Sequence, residues 1–415
     1  MSLKPVILGY DAVSPLGTDL DAQWDRAARG ESGIGPLTRF PPAGDFPVRI
    51  AGEVPAVDPA PYPFLSPRSL ALWPSPIFAY AMLVAYRALE RSGVVLDAGI
   101  APRTAVTFSS AIGGLDAVLA ADRRMAAEGK LPPPYTNPNS CINMVGGKVA
   151  MLTGATGPIT ATITACATGL TSMAVAAMLL EAGRADVAVC GAADFALVAP
   201  IVAGFATMNG AYQVKPGQAD EPPGRASRPF SIDRRGFVVS EGAGCVVLAT
   251  PEFARVHGLA ARFEIAGWSM TSDAHHFVAP HLPTVAACVS GCIDNAGIHP
   301  HDVAAVNAHA ASTKVGDAVE YRALSAVFGR RIPPVTANKS LIGHAMGASS
   351  AIEAILALEG MRREVVLPTI NHTADPELPI DCVPEGARSL EQEFVLKNAF
   401  GFGGCNACMV LRRIA

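Results

Sequence analysis

Charge is scarce in this chain. Only 16% of its 415 residues are Asp, Glu, Lys or Arg, and 32 basic side chains nearly balance 36 acidic ones, for a formal net charge of −4. With no basic excess, nothing argues for nucleic acid as a partner. Uncharged apolar runs long enough to span a bilayer are also lacking, so no membrane partner is expected. The N-terminus, MSLKPVILGYDAV, does not have the form of a signal peptide, because its apolar run is short and meets Asp11 at once. The nine cysteines are an odd number, scattered through apolar segments. That suits a reducing cytoplasm better than a disulfide framework. What is plentiful is apolar surface (50%), with 39 Gly and 34 Pro. The balance is that of a well-packed soluble enzyme with many tight turns, and the length allows two core-bearing units.

Taken in order, PVILGYDAV (5–13) reads as a strand, followed by a helix from about Leu20 to Gly30. Prolines exclude long helices from about Gly33 to Pro76. A helix over 77–92, a strand over Thr104–Ser109, the glycine turn Ala111–Gly114 and a helix over 115–128 come next. After Cys166, Asp186–Leu197 reads as a strand, about 213–227 as a polar loop and Gly236–Thr250 as a hairpin. From about residue 255 the cycle restarts: strand 262–269, helix 284–296, strand 303–308, helix 317–328, a short strand 335–337, helix 346–361, and closing strands over 394–399 and 406–411. Strands alternating with helices, twice over, indicate α/β layers. Chemistry in such sheets gathers beyond the carboxyl ends of the strands.

The stretch around Cys166 is the most informative. Upstream, ITATITA has the period-2 pattern of a strand. Downstream, Ala167–Leu180 carries no charge, as a helix buried on all sides would. Cys166 falls at the junction, where the free N–H groups of a helix N-terminus favour the thiolate. The layout is that of a nucleophile elbow with Cys in place of Ser. His309 follows the strand 303–308 directly, and His344 precedes a helix of small residues, with Lys339 before it and Glu353 after it. One Cys with distant His residues, all at strand-to-helix junctions, fits covalent acyl chemistry. A second His and a Lys fit the stabilisation of a developing anion, and the segment NAFGFGGCNA (Asn398–Ala407) can supply backbone N–H groups for an oxyanion hole.

These motifs together make the chain resemble a β-ketoacyl-acyl-carrier-protein synthase, a condensing enzyme of the thiolase superfamily, closest to the elongating type II group. The markers are TACATG around Cys166, RPFSIDRRGFVVSEGAG, SDAHH, HAASTKVGD, NKSLIGHAMGASSAIE and NAFGFGGCNA. The resemblance implies an α/β thiolase fold: two similar halves, 1–252 and 253–415, packed as five layers (α-β-α-β-α). It implies that Cys166 takes an acyl group as a thioester, and that neutral His309 and His344 bind the malonyl thioester carbonyl and stabilise the enolate left by decarboxylation. Lys339 and Glu353 would hold the electrostatics of the site. The backbone N–H groups of Cys166 and Phe402 would form the oxyanion hole, with Phe402 and Phe400 gating the acyl pocket. Thr313 would bind the phosphopantetheine arm of an acyl carrier protein, and Ile112 would line the pocket floor, with Phe205 and Met208 as further tunnel candidates. Asp317 and Glu320, in the first turn of their helix, would support the reacting groups from behind. The enzyme would act as a homodimer, or as a heterodimer with a related ketosynthase-like chain. It needs no cofactor beyond the carrier's phosphopantetheine.

Several positions depart from the pattern. His309–Ala310–Ala311 stands for the usual His–Gly–Thr, Val278 for Thr, His275 for Tyr, and Cys405 for the Thr of the glycine-rich loop. These changes touch the carrier-arm and pocket positions and lean towards a polyketide or polyene pathway. Cys405 and Cys408 form a single C-x-x-C, short of the four ligands of a structural zinc. Neither it, nor Cys288 with Cys292, nor His275, His276 and His281 near Asp273, is read as a metal site. Arg68, Arg123, Arg124 and Lys130 are candidates for docking an acidic carrier. The rival readings are a non-catalytic chain-length-factor-like subunit, which would lack Cys166 and the His residues, and a biosynthetic thiolase, which would lack the His309/His344 pair. An initiating synthase, with one His and one Asn, is disfavoured by His344.

Overall fold

Alternating strands and helices pack stably when the strands lie side by side, amphipathic helices cover the outside and wholly apolar helices fill the middle. In the computed structural model, which describes residues 4–42, 44–214 and 221–414, ten strands do this. They are β1 (Val6–Val13), β2 (Thr104–Ser109), β3 (Ile159–Thr160), β4 (Val187–Phe195), β5 (Glu241–Ala249), β6 (Phe263–Ser272), β7 (Val303–Asn307), β8 (Val335–Thr336), β9 (Phe394–Gly401) and β10 (Cys405–Arg413). They form one sheet in the order β8-β7-β9-β10-β6-β1-β5-β4-β2-β3. Outward from its middle, one side runs β1-β5-β4-β2-β3 and the other β6-β10-β9-β7-β8, the same order displaced by five. The pairings repeat too. β2 is parallel to β3 and β4, while β5 is antiparallel to β4 and β1. β7 is parallel to β8 and β9, while β10 is antiparallel to β9 and β6. The two sides join where β1 meets β6, through Val6↔Glu264 and Ile7↔Phe263.

Six helices occupy matching places between these strands: α1 (Pro76–Ser92), α2 (Asn143–Thr153), α3 (Thr168–Glu181), α4 (Leu282–Ala296), α5 (Lys314–Phe328) and α6 (Met346–Arg363). α3 and α6 are buried on nearly every side and pack against each other and both parts of the sheet. α1 and α2 cover one outer face, and α4 with α5 the other. The result is the five-layer α-β-α-β-α arrangement that the resemblance implied.

Small residues let the two central helices approach. A Cβ on Gly169 would lie 2.7 Å from both the backbone nitrogen and the Cβ of Ala351, and 3.0 Å from the carbonyl of Gly347. This contact brings the turn before α3 against the turn before α6, which sets the geometry of the site. Gly169→Val is expected to cost about 1–3 kcal/mol through overpacking and to move Cys166 away from His344. Thermal unfolding and Cys166 acylation, measured together, check it; wild-type acylation in the variant would mean the helix contact does not set the site.

Two sequence expectations need correction. Gly236–Thr250 is not a hairpin. Only Glu241–Ala249 forms a strand, and its antiparallel neighbours are β4 and β1. Residues 236–240 run extended through single bridges, including Val239↔His344. The β-branched run before Cys166 yields only the two-residue β3, because residues 161–164 must leave the sheet to enter a tight turn at the thiol. The polar loop expected over 213–227 lies partly outside the described residues.

Candidate active site

Cys166 sits in a 3₁₀ turn, Ala165–Ala167, that runs directly into α3. Its neighbour Ala165 has φ 49°, and left-handed non-glycine residues also follow the two histidines: Ser312 at 66° and Met346 at 46°. Each such residue costs energy that the surrounding fold must offset, and here all three stand at the same site. The backbone N–H groups of Cys166 and Phe402 lie near enough to the Cys166 sulfur to favour its charged form. Gly401 makes this possible, since a Cβ there would lie 2.4 Å from the carbonyl of Thr164 and 3.2 Å from the nitrogen of Cys166.

His344 Nε2 lies 3.1 Å from Cys166 Sγ. Its Nδ1 lies 3.0 Å from Ser349 Oγ, which accepts the Ala345 N–H at 2.7 Å. A hydroxyl can donate or accept, so Ser349 supports either tautomer of His344. The His309 ring stands 5.7 Å from that of His344 and 5.8 Å from that of Phe400, centroid to centroid. Burial, and then the nearby lysines, hold both imidazoles well below the usual histidine range, so both are neutral at physiological pH.

The thiol itself departs from expectation. Cys166 is only 8% exposed, and burial pushes its pKa up to about 12 despite the helix N-terminus, the two N–H groups and Lys339. The resting group is therefore a thiol, with His344 Nε2 as the nearest acceptor for its proton. Alkylation of Cys166 by iodoacetamide should keep accelerating, about tenfold per pH unit, from about pH 7 to beyond about pH 9. A rate that levels off below about pH 8 would show a resting thiolate instead.

Behind the histidines, Glu353 accepts from Lys339 Nζ at 2.6 Å and from Lys397 Nζ at 2.7 Å. Lys339 Nζ also donates to the carbonyl of His309 at 2.6 Å. Glu320 accepts the N–H groups of His309 (2.9 Å) and Ala310 (2.7 Å) and the side-chain amide of Asn398 (3.0 Å). α5 begins three residues earlier than expected, at Lys314, so Glu320 lies in its second turn and reaches back to the end of β7. Asp317 stays in the first turn, accepting from Phe230 N at 2.8 Å and Thr313 N at 3.1 Å. Burial raises its pKa to about 7.

Cys166, His309 and His344 all open on one cavity of about 720 Å³ with a mostly apolar wall. Ile112, Thr313, Phe400 and Phe402 line it, as do Phe205 and Met208. Phe205 packs against Phe402, with centroids 6.4 Å apart. The proposed docking residues Arg68, Arg123, Arg124 and Lys130 are exposed and none lines the cavity; Arg124 and Lys130 both stand against Glu128. The basic groups on its wall are Arg234, Arg235 and Lys314. Cys405 and Cys408, three apart on β10, face opposite sides of the sheet and cannot share one ion.

Sequence reasoning missed Lys397, Ser349 and Asp194. Lys397 and Asp194 each interrupt an apolar strand, and a charged residue at a buried strand position is a usable signal. Asp194 accepts from Ser110 Oγ at 2.6 Å and from the N–H groups of Ala111, Ile112 and Ala348. It thereby ties the turn at Ile112, on the cavity wall, to the start of α6. Asp194→Ala is expected to destabilise the fold by about 3 kcal/mol, since it strands several buried donors, and a denaturant titration checks it. No loss of stability would mean that water replaces the carboxylate.

Residues 4–254 match the family model for the β-ketoacyl synthase N-terminal domain, and residues 262–373 match that for the C-terminal domain. The chain is 35% identical to 3-oxoacyl-[acyl-carrier-protein] synthase 2 of Coxiella burnetii over 424 aligned positions, and 34% identical to the protein of the same name from Vibrio harveyi over 421, covering 99% of each chain in both cases. Among solved structures it resembles a β-ketoacyl synthase from Burkholderia phymatum (TM-score 0.91, 28% identity) and the ishigamide ketosynthase/chain length factor (TM-score 0.89, 28% identity), each over the full length of both chains. Similar sequence along the whole length and the same five layers lead to one conclusion: the chain belongs to the β-ketoacyl synthase family and is an acyltransferase of the ketosynthase type.

Proposed function

We propose that this ketosynthase joins an acyl group held on Cys166 to a malonyl group delivered by an acyl carrier protein, with loss of CO₂. The observation that carries this reading is the convergence on one thiol of His344 at 3.1 Å, the neighbouring His309 and two backbone N–H groups, at the wall of an apolar cavity. Cys166 Sγ attacks the acyl thioester, its proton passes by way of His344 to the departing carrier thiol, and the N–H groups of Cys166 and Phe402 hold the oxyanion. The malonyl carboxylate then leaves as CO₂. Its electron pair passes to the thioester as an enolate, which the Nε2–H groups of neutral His309 and His344 stabilise, His344 having shifted its proton from Nδ1 to Nε2 while Ser349 turns from acceptor to donor at Nδ1. The enolate carbon attacks the Cys166 thioester, the carbonyl re-forms, and the sulfur leaves as a thiolate that takes up one proton from solvent to restore the thiol. Neutral imidazoles suit this work because they donate to a carbonyl without first binding a proton. No step of such a condensation calls for a metal or a redox cofactor.

Lys339 and Glu353 steady the charge behind the histidines. Asp317 and Glu320 hold the backbone around Thr313 and His309. Thr313 contacts the pantetheine arm, Ile112 lines the acyl floor, and Phe400 and Phe402 gate the entrance. Ala311 and Val278 both lie on the cavity wall, where each removes a hydroxyl from the arm's path. That favours a type II polyketide or polyene pathway over bulk fatty acid synthesis. The edge strand β3 supports a dimer: Ile159 (50% exposed), Ile163 (48%) and Met178 (43%) present an apolar patch beside unpaired backbone. A second copy or a related ketosynthase-like chain would cover it. The halves divide near residue 252, in the connection between β5 and β6. Nine unpaired cysteines support a reducing cytoplasm, and among the described residues no helix is long and apolar enough to cross a membrane.

Incubation of the purified chain with acyl- and malonyl-carrier proteins tests the reaction. Release of CO₂ with a carrier-bound β-ketoacyl product two carbons longer is expected. Chain transfer without CO₂ release would contradict it.

A further inference from the structure

Lys397 lies on β9 with its side chain wholly buried. A lysine in such a place must find acceptors or give up its proton. It finds three: Glu353 Oε2 at 2.7 Å, the carbonyl of Asn398 at 2.8 Å and that of Ala308 at 3.3 Å. Three acceptors satisfy the three N–H bonds of an ammonium. Lys339, also buried, binds the other oxygen of the same carboxylate and the carbonyl of His309. Glu353 is thus held between two ammonium groups, one on each oxygen. Glu320 supplies the second negative charge of the cluster, accepting N–H groups from His309, Ala310 and Asn398. Two lysines and two glutamates balance.

The backbone acceptors lie on or just past two neighbouring strands. Ala308 and His309 follow the end of β7, while Asn398 leads along β9 to Phe400, with Phe402 just beyond it. Lys397 therefore pins the backbone that delivers His309 to the strand that leads to Phe400, while Lys339 pins it to the segment ahead of His344. Six elements bring charged or titratable groups towards the imidazoles: Lys397 on β9, Lys339 ahead of His344, Glu353 on α6, Glu320 and Asp317 on α5, Cys166 at the head of α3, and Asp194 of β4 beyond it. Of these, only the two lysines are cations.

We propose that Lys397 is a positioning residue of the condensation centre: it shares Glu353 with Lys339, locks the strand ends that carry His309 and Phe400, and presents a second positive charge to the two imidazoles. The inference rests on the condensation reading for its consequence, not for its geometry. A neighbouring cation disfavours protonation of an imidazole. Lys397 thus keeps His309 and His344 uncharged, and able to donate to an enolate, further into the acid range than Lys339 could alone.

The direct test is a pH titration of ¹⁵N-histidine-labelled full-length protein by NMR, for wild type, Lys397→Met and Lys397→Gln. Gln keeps one donor to Glu353, which guards against a fold that fails on full removal. Wild-type His309 and His344 are expected to stay neutral well below the ordinary histidine range, and removal of the cation should shift the His309 titration upward. The acid limb of the condensation rate should move up by a similar amount. A purely structural lysine would lower the melting temperature and leave both titrations in place, and that result overturns the proposal. So does a wild-type His309 that titrates near the ordinary value of about 6.5, whether or not either variant folds. Because the NMR readout requires no turnover, failure of the condensation reading shows separately, as absence of product from the wild type.

Discussion

Cys166→Ala is expected to abolish carbon–carbon bond formation, by at least about 10⁴-fold, because no other group at the site can hold the acyl chain. The structure predicts that this loss is selective. His309, His344 and the N–H of Phe402 do not depend on the sulfur for their positions: His309 is held through Glu320 and Lys339, and His344 through Ser349. Malonyl-carrier protein should therefore still lose CO₂ in the variant, giving acetyl-carrier and no ketoacyl product. Measuring both products in one assay separates the half-reactions. Loss of decarboxylation along with condensation would mean that the thiol organises the histidines.

The second large effect concerns the histidines, which the geometry makes unequal. His344 faces the thiol at 3.1 Å, whereas the His309 ring stands between those of His344 and Phe400, 5.7 and 5.8 Å away centroid to centroid. His309→Ala should leave acylation of Cys166 within about tenfold of wild type and lower condensation by about 10²–10³, the usual cost of one donor to a developing oxyanion. His344→Ala should lower both steps, since it removes the proton acceptor for the thiol and one of the two enolate donors. Single-turnover acylation followed by mass spectrometry, set beside CO₂ release, resolves the two. Equal effects of the two substitutions on acylation would contradict this division of labour.

Much of this was legible in the sequence because the reacting side chains sit at places where the backbone pattern changes. Cys166 joins a β-branched run to a helix without charges, His309 follows the end of β7, and His344 stands in the turn before α6. The duplicated rhythm of strands and helices also pointed to the repeated strand order. Other features could not be read that way. The hairpin expected over 236–250 failed because local alternation looks the same whether a strand pairs with its sequence neighbour or with β4, some 45 residues earlier. The thiolate expected from the helix N-terminus failed because burial, which is a tertiary property, outweighs the local dipole. Lys397 and Ser349 were missed for a related reason. Each gains its role from a partner on another element, Lys397 from Glu353 of α6 and Ser349 from the ring of His344 in the turn before its own helix, and no spacing rule encodes such meetings.

The claim at the centre of this account is that Cys166 carries the acyl group. Intact-mass analysis of wild type and Cys166→Ala, after incubation with acyl-carrier proteins of graded chain length, tests it most directly. The account predicts a single acyl adduct on the wild type, mapped to Cys166, absent from the variant and discharged as ketoacyl product when malonyl-carrier is added. An adduct that persists in Cys166→Ala, or none on the wild type even with a co-expressed sister chain, would contradict it.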